Sequence, residues 1–116
     1  DFRVDSFPTG FDLVMFSRVM ADWSPAVCRM LMHKAHAALA PGGHLLIAEP
    51  LRDQNPALSV AWEHSYLPYD DFGASVYKLT ATYEQLLTET GFRLIATHPR
   101  LDTIHSILVA ERVDAK

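Results

Sequence analysis

Few residues in this chain have the type and spacing that chemistry requires, and most lie beside two apolar runs. One group is Phe16-Ser17-Arg18, running into Ala21-Asp22-Trp23; the other is Glu49-Pro50. A hydroxyl, an indole and carboxylates at strand ends suit the binding of a polar ligand. Each also has a plainer reading. Glu49 is equally a solvated strand end, Trp23 reads first as packing, and Asp22 can hydrogen-bond the first turn of a following helix. His33 and His36 lie three apart on a helix, a spacing that suits a metal. With no third ligand at useful spacing they read as a solvated face. Asp70-Asp71 reads as turn chemistry rather than a cation site, so no metal is expected.

The elements that must position these residues follow from the hydrophobic pattern. Phe11 to Phe16 is nearly continuous apolar sequence after Pro8-Thr9-Gly10 and predicts a buried strand. Ser24-Pro25 predicts a helix start, Ser as N-cap and Pro at the first helical position. Val27, Leu31, Ala35, Ala38 and Leu39 then recur on one helical face, and Pro41-Gly42-Gly43 is expected to stop the helix. His44 to Glu49 predicts a second buried strand, parallel to the first because a helix connects them. Pro56 to Tyr66 has the composition of an aromatic-rich helix, and residues 68–73 that of a loop. Thr82-x-x-Gln85 is a capping-box pattern for a helix with Tyr83, Leu86 and Leu87 on one face, closed by Gly91. Two last strands, 92–97 and 104–112, are separated by about six residues, too few for a parallel crossover, so they pair antiparallel. The fold class is α/β: the second half of an open sheet, parallel strands followed by an antiparallel hairpin. Ligands of such sheets sit at the carboxyl ends of the parallel strands, which puts Ser17, Trp23 and Glu49 along one rim. The glycine-rich turn of a nucleotide-binding first strand is not found; Gly42-Gly43 ends a helix instead.

Composition narrows the classes further. The 116 residues suit one domain with a modest core, and about half are apolar. A formal net charge of −4 with scattered basic residues argues against a nucleic-acid partner. No apolar run approaches the roughly 18 residues of a membrane span. The single Cys28 makes a reducing, cytoplasmic setting the default. The chain starts Asp1-Phe2-Arg3 with no Met, which suits a fragment or a processed product.

The run from Phe11 to Leu51, with Asp22-Trp23-Ser24, its spacing to Pro41-Gly42-Gly43 and Glu49 closing the next strand, resembles the plant-type small-molecule O-methyltransferases that use S-adenosylmethionine. Bacterial carotenoid O-methyltransferases and bacteriochlorophyllide C-20 methyltransferases are relatives in that family. The later "YEQLLTETGF" and the terminal hairpin fit as well. The resemblance implies that residues 1–116 are the C-terminal part of a Rossmann-like catalytic domain, with the N-terminal cofactor-binding half outside this chain. It implies S-adenosylmethionine as cofactor, a small-molecule methyl acceptor and a homodimer. By the same resemblance Asp1, Phe2, Phe16, Ser17 and Trp23 face the cofactor, and Glu49 matches a carboxylate that orients the catalytic base.

That base is where the chain departs from the family. The residue before Asp-Trp is a His in the plant-type enzymes and is Ala21 here. A second orienting Glu before the late helix is replaced near Tyr77-Lys78. Orientation of acceptor and methyl group alone contributes up to roughly 10 kcal/mol, and a general base about 10²–10⁴-fold. Loss of the His therefore slows methylation of a neutral hydroxyl without abolishing it. In "AWEHSYLPY", the insert that caps the pocket in relatives, His64 is a substitute base or a surface residue, and Trp62 and Tyr66 a flat wall for a conjugated acceptor. The readings left are a methyltransferase acting at oxygen or carbon, a non-catalytic methyltransferase-like module, favoured by Ala21, and an unrelated α/β binding domain.

Overall fold

The computed structural model describes residues 5–20, 23–51, 78–99 and 105–114. Its elements are β1 (Phe11–Ser17), α1 (Pro25–Ala38), β2 (Leu39–Pro50), α2 (Thr80–Glu89), β3 (Phe92–Pro99) and β4 (His105–Arg112). The four strands form one sheet in the order β1-β2-β4-β3. β1 and β2 are parallel neighbours, with Phe16 opposite Ile47 and Ser17 opposite Ala48. β4 runs antiparallel to both β2 and β3, and β3 lies at the sheet edge, as the short connection requires.

α1 begins as its sequence dictates. Ser24 is the N-cap, its hydroxyl accepting from the Val27 N–H at 3.4 Å, and Pro25 opens the helix. Cys28, Leu31, Met32, Ala35 and Ala38 form its buried face. The first four share one core with Tyr83, Leu86 and Leu87 of α2 and with Phe16, Leu45, Ile47, Leu108 and Ala110 of the sheet. Both helices therefore cover the same sheet face.

Three expectations change. β1 is not buried on both faces: Phe16 is buried and Val14 packs on the core, but Phe11, Leu13 and Met15 are 45%, 53% and 54% exposed. They alternate with the core-facing residues, so they line the face that the two helices leave uncovered. The stop after α1 comes at Ala38, and the Pro41-Gly42-Gly43 stretch belongs to β2. There three residues of β1, Phe11 to Leu13, run beside six of β2, Leu39 to His44. Gly43 is needed at this irregularity, because a Cβ there would sit 2.9 Å from the Ala40 carbonyl oxygen. Third, α2 starts at Thr80 with no side-chain cap. The Thr82 N–H already bonds the Leu79 carbonyl at 3.1 Å, so Thr82 is inside the first turn and no capping box forms. The aromatic stretch expected at 56–66 and the loop at 68–73 lie outside the described residues.

Candidate active-site rim

Because β1 and β2 are parallel, their carboxyl ends lie side by side, and the residues that follow them form one rim. Ser17 ends β1 with its side chain exposed, and Phe16 beside it is buried in the core. The sheet pairing continues one residue further, the Arg18 N–H bonding the Ala48 carbonyl at 3.0 Å. Arg18 then takes φ = 58°, a left-handed conformation unusual for a residue with a side chain. The chain turns there toward Met20 and Trp23.

Glu49 is not a solvated strand end. It is 1% exposed, and its Oε1 accepts the Met20 N–H at 2.9 Å. Lys78, also buried, donates from Nζ to the Met20 and Trp23 carbonyl oxygens, each at 2.8 Å. The Cys28 thiol donates to the same Met20 carbonyl at 3.2 Å. A carboxylate at the end of β2, an ammonium just before α2 and a thiol on α1 thus converge on one short backbone segment. Burial pushes the Cys28 thiol above its ordinary value; the positive Lys78 works against this, and the negative Glu49 adds to it.

The sequence signals therefore divide. Phe16, Ser17, Trp23 and Glu49 come together at the rim. Trp23 is half-buried and packs against the core, so its packing role is real and part of its surface stays accessible. Asp1, Phe2, Ala21, Asp22, Trp62, His64 and Tyr66 lie outside the described residues. Lys78 was legible only as the site of a lost Glu; nothing local marks a lysine as the donor to a loop 55 residues away. His33 is exposed, and the His36 ring instead meets the Val113 carbonyl at 3.2 Å and the edge of Phe92. Among the described residues no group of three potential metal ligands occurs, and no helix is long and apolar enough to cross a membrane.

The rim fits part of a nucleoside-bearing cofactor. It offers an exposed hydroxyl at Ser17 and an accessible indole at Trp23, but no glycine-rich turn of its own. A hollow of about 500 Å³ lies at the opposite end of the sheet, lined by Glu84, Gly91, Arg93 and Val113, away from these groups.

Comparison with known proteins accounts for this partial fit. The O-methyltransferase domain model matches residues 1–93. The chain is 31% identical to L-tyrosine C(3)-methyltransferase of Streptomyces lavendulae over an alignment 119 positions long, covering 97% of this chain and 32% of that protein. It is similar in structure to the S-adenosylmethionine-dependent methyltransferase SibL, with TM-score 0.82 and 30% identity over 98% of this chain and 34% of SibL. Human N-acetylserotonin methyltransferase, solved in complex with SAM, aligns with TM-score 0.79 and 26% identity over 98% of this chain and 32% of its own. The chain spans about a third of the length of these relatives. A parallel strand pair, a terminal antiparallel hairpin and a domain match over most of the chain lead to one conclusion: this chain belongs to the O-methyltransferase domain family.

Proposed function

We propose that this chain is the C-terminal part of a methyltransferase catalytic domain. The full-length protein then transfers a methyl group from S-adenosylmethionine to a small aromatic or conjugated molecule. The observation that carries this reading is the shared rim of β1 and β2, where Ser17 ends one parallel strand, Glu49 lies at the end of the other and Trp23 precedes the next helix, in a chain of this family. Ser17 and Trp23 would hold the cofactor, with Asp1 and Phe2 at its adenine end. When bound, S-adenosylmethionine supplies a methyl group already activated by its sulfonium. What remains for the protein is alignment and proton removal.

Ala21 offers no ring to orient, so Glu49 works on the backbone, holding Met20 through its N–H. His64 is the base proposed in place of the missing His, and Trp62 and Tyr66 form the acceptor wall. Attack by oxygen needs that base unless the acceptor ionises easily; attack by carbon of an electron-rich ring needs a proton acceptor after the methyl group has arrived. The S. lavendulae relative, named for methylation at carbon, supports keeping both. The protein acts on its small-molecule acceptor as a cytoplasmic homodimer, a reading supported by the family resemblance and by the single Cys28.

The test is incubation of the full-length protein with S-adenosylmethionine carrying a labelled methyl group and a panel of phenols and conjugated hydroxy compounds. Label transferred to a panel member, falling roughly 10²-fold or more in His64→Ala with cofactor affinity nearly unchanged, is the expected result. Full-length protein that binds no S-adenosylmethionine would leave a non-catalytic module as the reading.

A further inference from the structure

Met20 is fully buried at the turn between β1 and α1, and its peptide groups are held by more than a turn requires. The Trp23 N–H closes the turn onto the Met20 carbonyl at 3.4 Å. That carbonyl also takes the Cys28 thiol at 3.2 Å and the Lys78 ammonium at 2.8 Å. The same ammonium reaches the Trp23 carbonyl at 2.8 Å, and Glu49 takes the Met20 N–H from the other side. Closing a turn needs none of these charges. Burying an ammonium costs several kcal/mol unless good geometry and an opposite charge offset it. Here two short charge-assisted bonds and the nearby carboxylate of Glu49 do so. The lysine comes from far along the chain, seated beside the end of β2 by a parallel bridge between Leu51 and Lys78. A buried charge used to immobilise backbone at a ligand-facing rim is an expensive way to gain stability and a direct way to gain placement.

The geometry points to Lys78 as a positioning residue for the methyl-transfer site: by holding the Met20 and Trp23 carbonyls it fixes the Trp23 indole against which the cofactor rests. This rests on the methyltransferase reading above. Lys78 touches neither cofactor nor acceptor in this account; it acts through Trp23. Glu49 and Lys78 then form a two-sided clamp, one on the N–H and one on the carbonyls of the same segment.

The test is calorimetric titration of S-adenosylmethionine into the full-length protein, wild type and variants, with the thermal midpoint measured alongside. Lys78→Met should raise the cofactor Kd by roughly tenfold or more, and Lys78→Arg, which keeps charge and donors, should restore it to within about threefold of wild type. In a Trp23→Ala background, Lys78→Met should change the Kd by less than about twofold, because the effect travels through the indole. Where Lys78→Met does not accumulate as folded protein, Lys78→Gln keeps one donor and should still raise the Kd at least about threefold. A lowered midpoint with a Kd within about twofold of wild type would show a merely structural lysine and overturn the inference. So would an equal effect of Lys78→Met with and without the Trp23 indole. Wild-type protein that binds no cofactor would instead sink the methyltransferase reading and this inference with it.

Discussion

At the scale of single residues, three polar side chains from different elements meet at the Met20 backbone. Cys28 is fully buried, and its thiol proton is directed at the Met20 carbonyl. Burial raises its pKa, so the native protein keeps the proton at pH values where the unfolded chain has begun to lose it. The sign follows: stability from this group is complete below the ordinary thiol value of about 8.5 and is lost as pH rises from there through the native value. Denaturant unfolding of the full-length protein, followed upward in pH from about 8, should show a steeper fall in stability for wild type than for Cys28→Ala. Equal slopes would mean that the thiol titrates alike in both states. Of the residues gathered here, Glu49 and Trp23 stood out in sequence because they lie next to strand and helix boundaries. Lys78 did not, because its partners are backbone oxygens, and any residue type supplies those. Position alone leaves Glu49 equally a solvated strand end; in the fold it is buried, with the Met20 N–H on its carboxylate and residue 78 returning to the end of β2.

At the scale of elements, local signals and tertiary ones carried different parts of the fold. The Ser24-Pro25 start, the apolar stripe of α1 and the closure of α2 by Gly91 are local, and each was legible. The limits of β2 were not. Pro41-Gly42-Gly43 carries breaker chemistry, yet the neighbouring β1 holds that stretch as an irregular part of a strand. The Thr82 pattern failed for the same kind of reason, since the helix had already begun at Thr80. Gly91 shows how firmly a turn can depend on one residue. Its φ is +88°, and a Cβ there would lie 2.8 Å from atoms of the His36 ring. That ring is itself fixed against the Val113 carbonyl and Phe92, while Arg112 donates to the His36 and Leu39 carbonyls at the end of α1. Gly91→Ala should therefore cost about 1–2 kcal/mol from backbone strain, and more from displacing the imidazole. Thermal or denaturant unfolding of the full-length variant measures this; a loss below about 0.5 kcal/mol would show that the turn relaxes freely.

At the scale of the whole molecule, the sheet is covered on one face only among the described residues, with Phe11, Leu13 and Met15 turned toward the other. That exposed row explains why the run from Phe11 to Phe16 reads in sequence as a strand buried on both sides. Parallel pairing of β1 and β2, the antiparallel hairpin and the family match all agree with a rim at the carboxyl ends of the parallel strands. A cofactor site at that rim is the central proposal. A crystal structure of the full-length protein with S-adenosylhomocysteine, the demethylated form of the cofactor, tests it most directly. The account predicts the ligand in van der Waals contact, within about 4 Å, of both Ser17 and Trp23, on a Met20–Trp23 segment held by Glu49 and Lys78. A ligand bound at the other end of the sheet, beside Gly91 and Val113, would contradict it.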